Sequence, residues 1–246
     1  MIQCDANGNT FLVMENKDSS FSSTQWFKSH TCSEDGVIWL YPDKKSWHME
    51  YYNCDGSCAA MCGNGARSAL YYLYKKNYIP ADQWVPLKTN AGEVMGIVDS
   101  EGIPTVSMPT PVLFRSMIWN DTLVDLIKVG VPHVARQLNS IEEVESFDLK
   151  SFFYSIREHD LIPGESNVNV FCFDNDQIWL RTFENGVNRE TKSCGTGCVA
   201  VAYLLKNTLN SEYDSWTLHT QGGNVTVSCD AEKFYLKGQV NCNEII

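Results

Sequence analysis

The sequence predicts an α/β (α+β) protein of two pseudo-symmetric domains, each a strand-rich layer wrapped around one central helix. A Cys-Gly-x-Gly motif followed by an apolar, helix-forming stretch occurs twice, as MCGNGARSALYYL (61–73) and SCGTGCVAVAYLL (193–205). Strand-like segments bounded by turn residues precede and follow each motif. The chain has 246 residues and is 43% hydrophobic, which suffices for two such domains.

The first domain is expected over residues 1–110. MIQCDANGNTFLVMEN predicts a strand, an Asn/Gly turn and a second strand, and SSTQWFKSHTC predicts a short helix. DGVIWLYP and SWHMEYYN predict two further strands. The apolar stretch after Cys62 predicts a helix over about 65–77, which Asn77 and Pro80 end. A run of short strands then completes this domain.

The second domain is expected over residues 111–246, because the two prolines of MPTPVL (108–113) mark a boundary. DTLVDLIKVGVPHVARQL predicts strands, and IEEVESFDLKSFFYSIREH has helical periodicity. SNVNVFCFDNDQIWLRTFENG predicts a hairpin with an Asn-Asp turn. A second central helix is expected over roughly 197–207, followed by strands, of which the last could pair with the first domain.

Charge and composition argue against two classes of partner. The formal net charge is −11 and the isoelectric point is about 4.9, so the surface repels phosphate and we expect no nucleic acid. No apolar run approaches the ~20 residues that span a bilayer, so we expect no membrane. The N-terminal sequence lacks the basic and apolar regions of a signal peptide, which favours a cytoplasmic protein.

The ten cysteines are expected to be free thiols, because disulfide frameworks belong mainly to short secreted chains. Cys4, Cys172 and Cys229 lie in or beside strand-like segments and fit buried small side chains. The segment CDGSCAAMC (54–62) spaces three cysteines by four. Because the sequence has no Cys-x-x-Cys and no His-x3–5-His pair, we expect no metal.

A cysteine directly before a glycine-rich helix start has a chemical use. The thiolate is the reactive form, and a helix N-terminus lowers a thiol pKa from about 8.5. First-turn amides are unpaired donors, and glycines let a ligand approach them. If Cys62 and Cys194 face each other across an interdomain cleft, one can remove the α-proton of an amino acid while the other delivers a proton to the opposite face.

The residues around both motifs also resemble a known family. NCDGSCAAMCGNGARS and TFENGVNRETKSCGTGCVAVA are similar to the two signature segments of diaminopimelate epimerase, a pyridoxal-independent, two-cysteine enzyme of the lysine and peptidoglycan pathways. DANGNTF, VGVPHV, ESNVNVF and TQGGNVTV resemble further segments of this family in the same order. The resemblance implies that fold, no cofactor, a free amino acid as substrate, and LL- to meso-diaminopimelate epimerisation first of all.

Carried over position by position, the resemblance implies a site in which Cys62 and Cys194 are the acid/base thiols. The implied substrate-binding residues are Asn9, Asn53, Gly63, Asn64, His133, Asn167, Glu184, Asn185, Gly195 and Thr196. Those at the helix ends would hold the α-carboxylate. His133 and Glu184 would orient the substrate amine or assist the thiols.

Two departures from the family pattern concern the far end of the substrate. Val131 stands where the family has an asparagine, and Asn185 stands where it has an arginine. Arg189, in a segment one residue longer than in many members, is a candidate substitute for the lost guanidinium. The preferred amino acid, the oligomeric state (a homodimer among the options) and the degree of domain closure are therefore left open by the sequence.

Three other functions compete with diaminopimelate epimerisation. The first is a racemase for another free amino acid, such as glutamate or histidine, on the same fold. The second is a redox or metal-binding module built on the cysteine-rich segment 54–62. The third is an inactive binding protein, against which the presence of both cysteines and both Gly-x-Gly turns argues.

Overall fold

The computed structural model describes residues 1–15, 23–30, 32–43, 46–59, 61–174, 177–208 and 213–244. Two compact units are formed, one from Met1–Ser107 with Lys237–Ile246 and the other from Met108–Leu236. We call them unit 1 and unit 2. The division along the chain falls between Ser107 and Met108, and the C-terminal segment is part of unit 1.

Short strands dominate both units, and each unit contains one long helix. In chain order the elements are β1 (Ile2–Ala6), β2 (Asn9–Glu15), α1 (Ser23–Ser29), β3 (Gly36–Asp43), β4 (Ser46–Asn53), β5 (Cys58–Ala59), α2 (Gly63–Lys75), β6 (Val85–Thr89), β7 (Gly92–Val98), β8 (Pro104–Met108), β9 (Val112–Trp119), β10 (Thr122–Val129), β11 (Val131–Gln137), α3 (Ile141–Ser146), α4 (Leu149–Ile156), β12 (Asn167–Asp174), β13 (Gln177–Glu184), β14 (Arg189–Thr191), α5 (Gly195–Thr208), β15 (Ser215–Thr220), β16 (Gly223–Asp230), β17 (Lys233–Lys237) and β18 (Asn241–Glu244).

The sheet of unit 1 packs against helix α2. Strand β1 pairs antiparallel with β2 and with β18. Strands β2 and β3 are parallel, β3 and β4 antiparallel, β4 and β6 parallel, and β6 and β7 antiparallel. Helix α2 contacts β1, β2 and β7, and its residues 63–70 are all buried. A Cβ at Gly96 of β7 would overlap Leu70, so the sheet approaches this helix at a glycine.

Unit 2 repeats the same order of pairings. Strands β10 and β11 are antiparallel, β11 and β12 parallel, β12 and β13 antiparallel, β13 and β15 parallel, and β15 and β16 antiparallel. Helix α5 contacts β10, β11, β12 and β16. The predicted fold class, a strand-rich layer around a central helix formed twice, is therefore confirmed.

One face of the β11–β12–β13 sheet in unit 2 is apolar. Alternate side chains of these strands, Val134, Val168, Val170 and Phe183, belong to one buried cluster with side chains of α3 and α4. The intervening positions point to the other face, because successive side chains of a strand alternate. Those positions carry His133, Asn167, Asn169, Thr182 and Glu184, and the fold thereby gathers polar side chains opposite an apolar core.

The predicted elements are present, with differences at their ends. Helices α2 and α5 begin at Gly63 and Gly195, two residues before the predicted starts, because the glycines of each motif form the first turn. The segment with helical periodicity is two helices, since Phe147 is extended and the Asp148 side chain accepts from Ser151 N (3.0 Å). Strand β9 was not predicted. The Asn-Asp turn lies outside the described residues.

The expectation of free thiols is wrong for four cysteines. Cys4 is bonded to Cys242, because β1 and β18 pair in a register that places these two residues opposite each other. Cys32 is bonded to Cys54, which follows strand β4. Cys172 and Cys229 are buried free thiols.

No helix in the described part of the chain combines the length and apolarity needed to cross a bilayer.

Candidate active site

Cys62 caps the N-terminus of α2. Its backbone is extended (φ −133°, ψ 120°), and Gly65 N donates to its Sγ at 3.3 Å. A Cβ at position 65 would lie 3.3 Å from the Cys62 Cβ and 3.4 Å from Ile38 Cδ1. The second glycine of the motif therefore allows the thiol to sit tightly against the first turn. Cys62 itself is half-buried.

A buried amide network supports this helix end. Asn64 Nδ2 donates to Asn9 Oδ1 at 2.8 Å, and Asn9 Nδ2 donates to Asp35 Oδ2 at 3.0 Å. Arg67, fully buried, donates to Asn64 Oδ1 at 2.7 Å and to Asn7 Oδ1 at 2.8 Å. Asn9 and Asn64 are thus brought together, and their side chains form hydrogen bonds with other side chains of this network. The backbone amides of the first turn remain the feature that suits an anion.

Asn53 lies at the end of β4, in a tight turn. Its Nδ2 donates to Ser57 Oγ at 3.0 Å, and its carbonyl accepts from Gly56 N at 2.9 Å. The next residue, Cys54, is in the disulfide with Cys32. Among the described residues, no group of three or more His, Cys, Asp or Glu side chains could hold a metal ion.

Cys194 precedes α5 in the same way, but its surroundings differ. The residue is 4% exposed, its Sγ lies 3.5 Å from Thr196 Oγ1, and Gly197 N donates to the sulfur. Burial, and next the Glu184 carboxylate, raise the pKa of Cys194 well above its ordinary value. The expected lowering by the helix end is therefore wrong for this thiol, because the hydrogen bonds from Thr196 and Gly197 offset only part of the desolvation.

Glu184 is the last residue of β13, and Asn167 is the first residue of the adjacent strand β12. Glu184 Oε1 accepts from Thr191 Oγ1 at 2.6 Å, so β14 fixes its carboxylate. Asn167 Oδ1 accepts from the backbone N of Asn185 at 2.9 Å, which fixes the start of the turn after β13. Arg189 is exposed and pairs with Glu184 in the β13–β14 register. Sequence positions expected at one site are thus gathered at one edge of this sheet.

His133 lies beside Asn167 in the parallel β11–β12 pair and is 1% exposed. Its Nδ1 is 3.1 Å from Asn169 Nδ2, and Asn169 Oδ1 accepts from Thr182 Oγ1 at 2.9 Å. Burial lowers the pKa of His133 to about 3, so the imidazole is neutral. Sequence reasoning missed Asn169 and Thr182. The alternation of a strand, which puts Asn169 on the same face as Asn167, could have found the first of them.

Val131, at the start of β11, is 42% exposed.

A model of the family described as diaminopimelate epimerase matches residues 4–114 and 126–242 of the sequence.

The chain belongs to the diaminopimelate epimerase family.

It is an isomerase of that family, and relatives match nearly its whole length. The diaminopimelate epimerase of Thermotoga maritima is 30% identical over 243 residues, which cover 97% of this chain and 98% of the relative. A Bacillus anthracis phenazine biosynthesis protein of the PhzF family has a similar fold, with a TM-score of 0.79 at 14% identity over 100% of this chain and 98% of that one. A hydroxyproline epimerase from Agrobacterium vitis also has a similar fold, with a TM-score of 0.69 at 16% identity over 99% of this chain and 90% of that one.

Proposed function

We propose that this family member is a cofactor-independent amino-acid epimerase in which Cys62 and Cys194 invert a Cα by two-base proton transfer. One observation carries the proposal: both thiols occupy the same place in a repeated fold. Each directly precedes a Gly-x-Gly helix start, and each sulfur accepts from the backbone N of the second glycine, Gly65 or Gly197. Two equivalent acid/base groups are what inversion of one carbon needs.

In the proposed reaction, one cysteine acts as a thiolate and takes the α-proton, and the other acts as a thiol and returns a proton to the opposite face. The bonding electrons of the broken C–H bond pass into the carboxylate, which becomes enolate-like. First-turn amides at Gly63 and Asn64, and at Gly195 and Thr196, stabilise this charge. Afterwards the two cysteines have exchanged protonation states, and proton exchange with solvent after product release restores them for the next turnover.

The remaining site residues are assigned by charge. Glu184 is an acceptor held by Thr191 and suits the substrate ammonium. Asn9 at the start of β2, Asn53 at the end of β4 and Asn167 at the start of β12 contribute side-chain amides. Asn185 stands at the far end of the proposed site, where its backbone N is bound by Asn167.

We further propose that the substrate is LL-diaminopimelate, converted to the meso form, as lysine and peptidoglycan biosynthesis require. The name of the Thermotoga maritima relative, 30% identical, supports this substrate. Val131 and Asn185 favour the alternative, a racemase of another free amino acid such as glutamate or histidine. Neither side chain offers the planar pair of cationic donors that best binds a remote carboxylate.

A panel of free amino acids tests the reaction and the substrate together. Each compound is incubated with the protein in D₂O without added pyridoxal phosphate, and chiral chromatography with mass spectrometry follows both stereoisomers. We expect turnover of LL-diaminopimelate, with deuterium early in the product and little in the recovered substrate, because different groups remove and deliver the proton. Equal early labelling of both isomers would contradict the two-base mechanism, and turnover of another amino acid alone would select the alternative.

A further inference from the structure

A buried polar trio lies on the face of the unit 2 sheet opposite its apolar core. It consists of His133 on β11, Asn169 on β12 and Thr182 on β13, which are 1%, 0% and 2% exposed. Polar side chains at this depth need hydrogen-bond partners, because a buried unpaired donor or acceptor costs about 1–3 kcal/mol. Their hydrogen bonds therefore define which atom of each group donates and which accepts.

The partners of Asn169 fix the orientation of its amide. The carbonyl oxygen of Val134 can only accept, and it lies 2.9 Å from Asn169 Nδ2. The Thr182 hydroxyl donates to Oδ1 at 2.9 Å. The second N–H of the same Nδ2 is then the one that meets His133 Nδ1 at 3.1 Å. Turning the amide over would place two oxygens against each other at Val134.

This orientation decides the tautomer of the histidine. An N–H donor opposite Nδ1 requires a lone pair there, so the proton of the neutral ring is on Nε2. His133 Nε2 is buried and has no hydrogen-bond partner among the described residues. A free amino acid has an ammonium that only donates and a carboxylate that only accepts, and a ring with its proton on Nε2 can serve only the carboxylate.

Helix α5 packs directly onto the side chains of Asn169 and Thr182. A Cβ at Gly197 would lie 2.5 Å from Asn169 Oδ1, 3.1 Å from Thr182 Oγ1 and 3.4 Å from the Cβ of Cys194. The first turn of the helix that follows Cys194 thus rests on the group that orients His133. The imidazole and this thiol are held by one continuous set of contacts within unit 2.

We propose that Asn169, held by Thr182, is a positioning residue that fixes His133 as an Nε2–H donor to the carboxylate of the bound amino acid. The inference rests on the proposed function for its substrate, and on hydrogen-bond geometry alone for the tautomer. It separates two tasks that the sequence left together: Glu184 accepts from the ammonium, and His133 donates to the carboxylate.

The tautomer is measured directly by NMR of the full chain labelled with ¹⁵N-histidine, because a protonated ring nitrogen and one with a lone pair differ strongly in ¹⁵N shift. His133→Gln identifies the His133 signals among the five histidines. We expect the Nε2–H form, unchanged between about pH 5.5 and 8. A wild-type ring with its proton on Nδ1, or one that titrates within this range, would overturn the proposal without any further variant.

Asn169→Asp replaces the donor with an isosteric acceptor. We expect the proton to move to Nδ1, or the ring to become an imidazolium, and kcat/KM for the amino acid to fall about tenfold or more, mainly through KM. Thr182→Val should lower kcat/KM in the same way, and Thr182→Ser should restore it because the hydroxyl is kept. An unchanged ring signal in Asn169→Asp would overturn the assignment.

A control and an independent readout keep the proposal distinct from the proposed function. Thr89→Val in unit 1 also removes a buried hydroxyl, which donates to Gly92 O at 2.8 Å, and it should leave the His133 signals and KM unchanged. If no amino acid turns over while Asn169→Asp still moves the proton, the proposed function fails and the positioning stands. If an amino acid turns over but the His133 ring signals are unchanged in Asn169→Asp, the proposed positioning role fails and the proposed function stands.

Discussion

The two cysteine-bearing helix ends have the same local arrangement of backbone, but the side chains around the two sulfur atoms differ. Cys62 is half-buried at the start of α2, whose Arg67 side chain donates hydrogen bonds to the Asn64 and Asn7 amides. Cys194 is 4% exposed, next to the Glu184 carboxylate, and the position that matches Arg67 is the apolar Val199. The repeated fold thus supplies two similar helix ends, whereas the side chains around them differ. Burial and the Glu184 carboxylate raise the pKa of Cys194 and so favour its protonated form.

The largest expected effect comes from removing either sulfur. Cys62→Ala and Cys194→Ala should each lower kcat/KM by about 10²–10⁴-fold or more, because inversion needs both groups. Chiral chromatography of the product measures this loss. Cys58→Ser removes an exposed free thiol that lies outside the proposed machinery, and it should leave the rate unchanged. Substantial activity in one of the two alanine variants would end the description of the thiols as an equivalent pair.

The network under Cys62 should be costly to break. Arg67→Met leaves the buried Asn64 Oδ1 and the part-buried Asn7 Oδ1 without their guanidinium donors, which should lower the free energy of unfolding by about 3 kcal/mol. Urea denaturation measures this change. Lys75→Met, at an exposed position of the same helix, should change stability by less than about 0.5 kcal/mol. Equal stability of both variants would show that α2 does not depend on this network.

Glu184→Gln sharpens the contrast at the other helix end. Without the neighbouring negative charge the pKa of Cys194 should fall, although burial still holds it above the ordinary value. In the direction where Cys194 is the base, activity rises as this thiol ionises, so the rising limb of kcat/KM against pH should move to lower pH. The lost contact with the substrate ammonium should lower the maximum about tenfold.

The same pH profiles recorded for Glu165→Gln, which alters an exposed carboxylate of unit 2, should match those of the unaltered protein. A rising limb that stays in place for Glu184→Gln would mean that Cys194 is not the base in that direction. A limb that moves in both reaction directions alike would mean that Glu184 acts on the two thiols equally.

The smallest expected effect concerns substrate selectivity. Val131→Asn with Asn185→Arg should raise kcat/KM for diaminopimelate about fivefold relative to a smaller amino acid, the effect of a hydrogen bond worth about 1 kcal/mol. Competition between the two substrates measures the ratio. Arg189→Ala should lower it if this exposed side chain binds the far carboxylate. An unchanged ratio in the double variant would show that positions 131 and 185 do not contact the substrate.

Local patterns in the sequence predict most of the fold, whereas properties set by distant contacts escape them. The repeated Cys-Gly-x-Gly helix starts and the β1–β2 hairpin depend on neighbouring residues and are where they were expected. Strand β9 was missed because its residues 112–116 are all exposed and lack the alternation of a half-buried strand. The bond between Cys4 and Cys242 joins residues 238 positions apart, which no local pattern reveals.

The candidate site divides in the same way. The positions of Cys62 and Cys194 at helix starts follow from their motifs, but the raised pKa of Cys194 follows from its burial and from the Glu184 carboxylate at the end of β13. Asn169 and Thr182 are ordinary strand residues until β12 and β13 pair and place them side by side. The sequence therefore identifies the reacting groups more easily than it identifies the side chains that orient them.

Gly238 and strand β18 have a consequence for the order of synthesis. A Cβ at Gly238 would overlap the guanidinium of Arg67, and β18 pairs with β1, so unit 1 is completed by residues that follow all of unit 2 in the sequence. Unit 2 is continuous in sequence and emerges whole before them. The half of the molecule that is translated first is thus the half that finishes folding last. A released chain that ends just short of the β18 residues should protect unit 2 from protease while unit 1 is still cleaved.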